Sequence, residues 1–429
     1  MTLFKNIAPT LGLLVATASL FAQSTPIKVA NLKKHITFLA SDDLRGRAPG
    51  TDGEMEAAAY IEGFFKKYKL VPKGDKIELA NNQKQVKTPE YSYFQAFEYK
   101  QNDNPHGQET EGIARKGKNI IGFLDNGAEH TIVIGAHYDH LGDDGRGSSL
   151  DPDPIGHIHN GADDNASGVA GVLELARIYS TNKQKEAYNF LFVAFSAEEA
   201  GLIGSKYLTN HSPIALDRVQ LMMNMDMIGR LNDSTMKLMV YGVGTSPIFV
   251  PMLSNFQHKP FTILTDSSGV GPSDHTSFYL KNVPVLHFFT GQHRDYHKPS
   301  DDVSKINFKG EAKVLTLMTQ LIDLFLESPK LSFHETKTPQ TKSGGFKVSM
   351  GIMPDYSFDG EGVRVDGVTE GKPAQKAGIL RDDIIVELGA VSCKDIYKYM
   401  DALNQFKKGD TAPVKVKRKG ELKNLTVTF

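Results

Sequence analysis

The sequence has a single cysteine, no tryptophan and almost no net charge. With Cys393 alone, no disulfide can form within the chain, so stability must come from packed cores or from bound metal. The 49 basic and 50 acidic residues produce no broad field of one sign, which argues against an extended surface for nucleic acid or an anionic membrane. What is present is an ordinary globular composition, 40% hydrophobic over 429 residues, which allows two or three domains.

Residues 1–22 have the pattern of a secretory signal peptide. Lys5 precedes a mostly apolar run that ends at Ala22, after which we predict cleavage. Leu20 is larger than the small residue usual at its position, and a retained anchor is the alternative, although the run is short for a membrane span. We therefore expect a secreted or periplasmic protein with no membrane span in the mature chain.

Residues 25–328 have the pattern of one α/β domain. Short apolar segments alternate with helical patterns, which predicts a mostly parallel sheet with helices on both faces. The predicted strands are residues 119–124, 131–136, 189–195, 221–225 and 283–289, and the predicted helices are residues 169–179, 200–208, 248–258 and 308–326. In such sheets, binding sites lie at the carboxyl ends of the strands.

Other parts of the chain are predicted in less detail. Two helices are expected within residues 27–70, around a loop whose Leu44-Arg45-Gly46-Arg47 stretch should be solvated, with a substrate-facing turn as the alternative. The acidic and histidine-containing loop 142–160 is also expected to be solvated, and the alternatives are that it lines the pocket or holds calcium. Residues 329–345 are rich in Pro, Ser, Thr, Lys and Gly and are predicted to be a linker. An alternating pattern over residues 346–429 predicts a second, small β-rich domain.

Residues 161–168 contain two adjacent carboxylates among small residues, directly before a helical pattern. Asp164 is a candidate for a carboxylate shared by two metal ions, because each of its oxygens can accept independently. The alternative is that Asp163 and Asp164 only cap the helix that follows. Candidate metal ligands elsewhere in the chain distinguish these two interpretations.

Further candidates follow the predicted strands. His137 and Asp139 are two residues apart and point the same way in extended backbone, so Asp139 can accept the far ring N–H of His137. Glu198 and Glu199 are adjacent, so their side chains diverge, and one can bind metal while the other faces a reacting water. Each pair also has an ordinary structural explanation, such as two solvated glutamates at a helix start.

Two more candidates, Asp226 and His297, follow the last two strands. A carboxylate in a run as apolar as residues 221–228 needs a partner, and a cation fits best. Oxygen and imidazole donors without thiolates favour zinc, although manganese or cobalt accept the same donors.

Taken in order, these motifs resemble those of the zinc aminopeptidase family, which also contains glutamate carboxypeptidases and glutaminyl cyclases. The resemblance covers about residues 27–328 and rests on His137-x-Asp139, residues 161–168, Glu198-Glu199, residues 224–229, Ser273-Asp274-His275 and Tyr296-His297. It implies two Zn2+ ions, one held by His137 and Asp226 and the other by Glu199 and His297, with Asp164 bridging both. It also implies a cis peptide bond after Asp164.

The same resemblance implies catalytic roles and an activity. Glu198 is expected to be the general base, Asp139 the partner of His137, and Tyr296 a donor to the oxyanion. The expected activity is that of a metallo-aminopeptidase acting on peptides with a free N-terminus through a metal-activated water. The alternative is a glutaminyl-peptide cyclotransferase, but such enzymes tend to have tryptophan where this chain has Tyr296. A carboxypeptidase would need a cationic clamp, for which Arg230 and Arg294 are the candidates.

The second domain resembles a PDZ domain. Residues 371–385 match the corresponding PDZ stretch, and Ser349-Met350-Gly351-Ile352 matches the loop that binds a peptide carboxylate, with Ser349 in place of the usual first glycine. Residues 395–406 should form the helix beside the groove. The domain is expected to bind a peptide or protein C-terminus, or to dock on the catalytic domain. A non-catalytic chain that binds peptides only through this domain is the non-enzyme alternative.

Overall fold

The structure is a computed structural model. It describes residues 25–77, 90–101, 113–145, 148–151, 153–254, 260–327, 330–336, 348–354, 358, 360–368 and 371–429. The predicted signal peptide lies outside these residues, as does most of the predicted linker. Among the helices described, none is long and apolar enough to cross a membrane.

Two amphipathic helices open the described chain. Helix α1 is Val29–Leu39 and helix α2 is Asp52–Lys67, where Thr51 caps the first turn by accepting the backbone N–H of Glu54. Their apolar faces join the main core. The turn between the helices buries Leu44, Gly46 and Arg47 and exposes only Arg45, so the prediction of a solvated stretch is wrong at three of its four residues.

A nine-stranded sheet forms the centre of the first domain. Its strands are β1 (Val71–Pro72), β2 (Phe94–Gln101), β3 (Ile113–Leu124), β4 (Thr131–His137), β5 (Asn189–Phe195), β6 (Val219–Met225), β7 (Lys237–Tyr241), β8 (Thr262–Asp266) and β9 (Val285–Phe289). The order is β1-β3-β5-β4-β6-β9-β7-β8, with β2 paired to β3. The central strands β5, β4, β6 and β9 are parallel, whereas β3 and β7 run antiparallel to their central neighbours. The predicted mostly parallel α/β fold is confirmed.

Helices cover both faces of this sheet. The other α-helices in the described part of the domain are α3 (Gly168–Thr181), α4 (Ile203–Asn210), α5 (Phe249–Ser254), α6 (His275–Tyr279) and α7 (Phe308–Leu326). In β4, Ile132 and Ile134 pack in the cluster that contains α1, α2, α3 and α7, while Val133 packs on the other face with Leu208 of α4 and Phe278 of α6. Every residue of β4, β5 and β6 is buried, which explains their continuous apolar sequences.

The elements depart from prediction in a few places. Strands β7 and β8 and helix α6 are five residues each, too short to show a period in the sequence. Helix α4 begins at Ile203 rather than at residue 200, because Gly201 and Leu202 have positive φ angles of 105° and 62°.

Residues 330–336, here called the strap, pack on the first domain instead of leaving it as a free linker. The backbone N–H of Leu331 donates to the Gln220 side chain at 3.0 Å. The N–H of His334 donates to the carbonyl of Thr245 at 2.8 Å, and Thr336 bonds to the hydroxyl of Tyr279. The part of the predicted linker that the structure describes is therefore held by hydrogen bonds.

In its described residues, the second domain is an antiparallel sheet with two helices. Its strands are β10 (Ile352–Pro354), β11 (Val363–Val368), β12 (Ile384–Leu388), β13 (Val391–Ser392), β14 (Thr411–Arg418) and β15 (Glu421–Thr428), and its helices are α8 (Pro373–Lys376) and α9 (Ile396–Leu403). The sheet order is β10-β11-β12-β14-β15, with β13 paired to β12. Its own apolar core includes Val365, Ile385 and Val416. The buried carboxylate of Asp383 accepts two hydrogen bonds of 2.7 Å from Arg418.

Candidate metal centre

The segment that carries Asp164 is buried at the end of the parallel strands. Residues 162–167 form a single irregular turn before α3, all six are buried, and the peptide bond between Asp164 and Asn165 is cis. The Asn165 side chain donates to the carbonyl of Met225 at 2.9 Å and accepts from the N–H of Met227 at 3.2 Å. These bonds join the turn to the end of β6, where Asp226 lies.

The two aspartates do not cap helix α3. Asp163 accepts from the backbone N–H of Gly229 at 2.7 Å and contacts His293 Nε2 at 3.1 Å. In the first turn of α3, the N–H of Gly168 donates to the side-chain oxygen of Asn165 at 3.0 Å. The capping alternative is therefore wrong, because both carboxylates point away from the helix start to partners in other loops.

Asp164 lies between two groups of donor atoms. Its Oδ1 is 3.5 Å from His137 Nε2, which is in turn 3.5 Å from Asp226 Oδ1. Its Oδ2 is 3.3 Å from His297 Nε2, which is 3.2 Å from Glu199 Oε2. The structure thus brings together all five residues predicted from the sequence, in two sets that share Asp164.

The spacing of these atoms fits metal binding. Two atoms bound at about 2.0–2.1 Å to one tetrahedral zinc lie roughly 3.3–3.4 Å apart, and the distances of 3.2–3.5 Å agree with this value. Four carboxylates crowd the site, since the side chains of Asp164, Glu198, Glu199 and Asp226 are at most 15% exposed. Buried like charges require nearby cations, so the residues fit two zinc ions with nitrogen and oxygen donors.

Asp139 has a different contact from the one predicted. The Nδ1 atom of His137 is 3.2 Å from the backbone carbonyl of Asp139 and 3.8 Å from its carboxylate. The carboxylate instead accepts the backbone N–H groups of Glu198 at 3.1 Å and Glu199 at 3.3 Å. The carbonyl therefore orients His137, and the side chain fixes the backbone of the glutamate pair. Burial raises the pKa of Asp139 to about 8, although His137 opposes the rise.

The loop 142–160 orients His297 and so is not simply a solvated loop. His297 Nδ1 donates to the carbonyl of Ser148 at 2.9 Å, which leaves Nε2 to face Asp164 and Glu199. The N–H of Leu150 donates to the carbonyl of His297 at 2.9 Å. These two bonds hold His297 at a positive φ of 54°.

Arg47 lies behind the site and was not identified from the sequence. Its guanidinium donates to the backbone carbonyls of Leu39, Tyr138 (2.8 Å), Asn160 (2.7 Å) and Gly161 (3.1 Å). It thereby joins the segment after β4 to the segment that leads to Asp164. Burial lowers its pKa to about 10, while nearby carboxylates of the site oppose that change.

Glu198 and Tyr296 face an open pocket beside the donor atoms. Burial, with the neighbouring Asp274, Glu199 and Asp226, raises the pKa of Glu198 well above its usual range, although His137 opposes this. The ring of Tyr296 stacks on His297 with centroids 3.9 Å apart. The pocket is lined by Asp164, Glu198, Glu199, Asp226, Met227, Tyr241, Pro272, His287, Phe289, Gln292, Tyr296 and His297.

The Ser273-Asp274-His275 motif supports the site from behind. The Asn224 side chain donates to Ser273 Oγ at 2.8 Å, and His275 stacks on His287 with parallel rings 4.5 Å apart. Asp274 is fully buried, and burial raises its pKa to about 6.

His140, which the sequence analysis did not assign, is also fully buried, and its Nδ1 lies 2.8 Å from Glu199 Oε1.

Comparison with known protein families gives two matches. Residues 119–322 match the model of Peptidase family M28, and residues 336–429 match that of the PDZ domain. The sequence is similar to Aminopeptidase YwaD of Bacillus subtilis, 32% identical over 157 residues, which are 34% of each protein. It is also similar to Leupeptin-inactivating enzyme 1 of Streptomyces exfoliatus, 28% identical over 312 residues, which are 71% of this chain and 58% of that enzyme. The chain thus spans only about a third of the first relative and over half of the second.

Solved structures share the fold of the first domain. The zinc aminopeptidase BSAP of Bacillus subtilis superposes with a TM-score of 0.51 at 18% identity, covering 73% of this chain and 99% of that one. The glutaminyl cyclase of Porphyromonas gingivalis superposes with a TM-score of 0.53 at 14% identity, covering 70% of this chain and 99% of that one.

Proposed function

Because this chain carries a peptidase family M28 domain followed by a PDZ domain, we propose that it is a zinc-dependent aminopeptidase that removes N-terminal residues from peptides. One observation carries the proposal. The two oxygens of Asp164 face two separate imidazoles, each of which also faces a second carboxylate at ligand spacing. Such a constellation holds two metal ions side by side.

In this proposal, His137, Asp164 and Asp226 hold one zinc ion, and Asp164, Glu199 and His297 hold the other. Zinc in such a site polarises a carbonyl and makes a bound water acidic enough to react near neutral pH. Each set has three protein donors, which leaves a position open for water or substrate.

Glu198 is the proposed general base. It is adjacent to the ligand Glu199, lines the pocket, and has Oε2 3.9 Å from His137 Nε2. Its place beside the donor atoms and at the pocket wall suits a group that takes a proton from the attacking water and delivers it to the leaving amine. Tyr296, at the pocket wall, is proposed to donate a hydrogen bond to the oxygen that becomes negative.

The pocket supports a substrate with a free amine and an apolar first side chain. Its carboxylates attract a cationic N-terminus, and Met227, Tyr241 and Phe289 supply an apolar wall. A carboxypeptidase would need a free cation for the substrate carboxylate. Arg230 is already 3.0 Å from Asp295, and Arg294 is exposed, so neither supports that activity.

The PDZ domain is proposed to bind a peptide or protein C-terminus. Gly351 has a φ of 71°, and the carbonyl of the preceding Met350 accepts the N–H of Ala374, so the loop before β10 is anchored at the start of α8.

We further propose that the chain is exported, on the basis of the signal pattern in residues 1–22.

A panel of aminoacyl anilides tests the activity. Zinc-loaded protein should cleave compounds with a free amine, leave their N-acetylated forms intact, prefer leucyl and phenylalanyl over aspartyl substrates, and lose activity with a chelator. A glutaminyl substrate distinguishes the cyclase, whose structural relatives make it the second candidate. Cyclisation of that substrate without hydrolysis of the others would overturn the aminopeptidase. Inactivity of a fully metal-loaded sample towards the whole panel would favour the non-catalytic module.

A further inference from the structure

His140 is a buried imidazole beside the candidate metal centre that belongs to neither donor set. It follows Asp139 directly after β4, and its side chain is fully buried. Its Nδ1 forms a compact group with carboxylate oxygens of Asp164 and Glu199. A third histidine in this position either binds the second metal itself or acts on a residue that does.

The distances separate these roles. His140 Nδ1 is 2.8 Å from Glu199 Oε1 and 4.0 Å from Asp164 Oδ2. Co-ligands of one zinc lie roughly 3.3–3.4 Å apart, as His297 Nε2 does from the same two carboxylates. A separation of 2.8 Å is instead that of a charge-assisted hydrogen bond. Because an ionised carboxylate only accepts, Nδ1 of His140 is the donor.

This bond assigns different tasks to the two oxygens of Glu199. Oε1 accepts from His140, whereas Oε2 faces His297 at 3.2 Å, so only Oε2 is directed to the shared metal position. The backbone N–H of Glu199 is held by Asp139 at 3.3 Å, which fixes the residue at a second point. Among the described ion pairs, Glu198 contacts one histidine, His137, with 3.9 Å between Glu198 Oε2 and His137 Nε2. Because this distance is longer than a hydrogen bond, the Glu198 carboxylate is free to transfer a proton.

We propose that His140 is a positioning residue that makes Glu199 a one-oxygen ligand of the second metal ion. The proposal rests on the two-metal site proposed above and explains which of the adjacent glutamates binds metal. Outer hydrogen bonds of this kind typically change metal affinity 10- to 100-fold. The affinity of the second ion should therefore depend on the donor at residue 140, and that of the ion held by His137 and Asp226 should not.

Asparagine and leucine form a matched pair for the test. His140→Asn places an amide nitrogen close to the position of Nδ1, whereas His140→Leu has nearly the same size and no donor. His35→Leu is the control for loss of a buried histidine, because His35 packs between Tyr60 and Phe64 in the α1–α2 pair. Metal-free proteins are titrated with zinc in the presence of a chromophoric chelator, and with cobalt(II) followed by its visible absorption. Thermal unfolding verifies that each variant is folded.

The expected result is selective weakening of one ion. His140→Leu should bind the first equivalent as wild type does and the second about 10- to 100-fold more weakly, with an altered cobalt spectrum only in the second equivalent. His140→Asn should stay within about threefold of wild type. Unchanged binding of both ions by His140→Leu, equal weakening of both, or equal defects in His140→Asn and His140→Leu would each overturn the proposal. A wild-type protein that binds fewer than two ions would instead contradict the two-metal site itself.

Discussion

Asp301 and Asp164 are bonded across 137 residues, because Oδ2 of Asp301 accepts the backbone N–H of Asp164 at 3.0 Å. The same oxygen accepts the N–H of Asp163, also at 3.0 Å. Asp301 follows His297 by four residues, so this one carboxylate joins the loop of the bridging aspartate to the loop of the last histidine. The positions of the two donor sets therefore depend on a residue that belongs to neither set.

The first prediction concerns this contact. Asp301→Ala leaves two buried N–H groups without an acceptor, and we expect a loss of about 1–3 kcal/mol in unfolding free energy and a roughly 10-fold or larger loss of zinc affinity. Denaturant unfolding and chelator competition measure the two effects. Asp302→Ala is the matched control, since Asp302 is adjacent and exposed. Equal effects of the two substitutions would show that the bonds to Asp163 and Asp164 do not matter.

The second prediction separates metal binding from proton transfer. Glu198→Gln should retain two zinc ions and lose about 10²- to 10⁴-fold in turnover, because the amide cannot take a proton from water. Glu199→Gln should lose the second ion as well as activity. Metal analysis and anilide hydrolysis on the same samples test both. Near wild-type turnover in a metal-loaded Glu198→Gln protein would rule out its role as the base.

The third prediction compares two arginines that are two residues apart. Arg47→Met removes four buried hydrogen bonds to carbonyls and should destabilise the protein by about 3 kcal/mol or more. Arg45→Met removes an exposed ion pair with Asp143 and should cost less than about 1 kcal/mol. Urea unfolding measures the loss of unfolding free energy in each variant. Losses of similar size would show that the buried hydrogen bonds of Arg47 are no more important than the exposed ion pair of Arg45.

The fourth prediction concerns acid stability. Burial lowers the pKa of His35 to about 4, so between pH 6.5 and 4 the unfolded chain binds this proton and the folded chain does not. The contribution of His35 to the free energy of unfolding is therefore fully present above pH 6.5. It falls by about 3 kcal/mol in total as the pH drops from 6.5 to 4. His35→Leu should show a flatter decline than wild type when both are unfolded in chelator. Parallel curves would contradict the low pKa.

The fifth prediction concerns metal removal. Each zinc ion present at 1,000 times its dissociation constant adds about 4 kcal/mol to the stability of a protein that binds it only when folded, so two ions add about 8 kcal/mol. We expect chelation to lower the Tm of the first domain by roughly 20 °C while the unfolding of the PDZ domain is unchanged. Calorimetry with and without chelator measures both transitions. A shift of both or of neither would argue against a metal site confined to the first domain.

The sequence predicted the part of the site that chain topology determines. His137, Asp226 and the glutamate pair follow apolar strands, and the ends of parallel strands meet at one edge of a sheet. Strand positions were recognisable because β4, β5 and β6 are buried on both faces and hence continuously apolar. Both features can be recognised directly from the order of residues in the sequence.

The residues that orient the candidate ligands could not be recognised from the sequence in this way. Arg47 and Asp301 act on backbone groups far away in sequence, which depends on tertiary placement and not on spacing. The contact of Asp139 was misassigned for a related reason, since its carboxylate is bound by amides that follow another strand. His140 lies one position beyond a recognised motif, and only the distances reveal its bond to Glu199.

The strap has a practical consequence for dividing the chain. A truncation at residue 328 would remove the hydrogen bonds that Leu331, His334 and Thr336 make to the first domain and would uncover Tyr279. A shortened peptidase that ends after Thr336 keeps these contacts. Limited proteolysis should accordingly spare the strap, and expression of the first domain alone should yield more folded protein with it than without it.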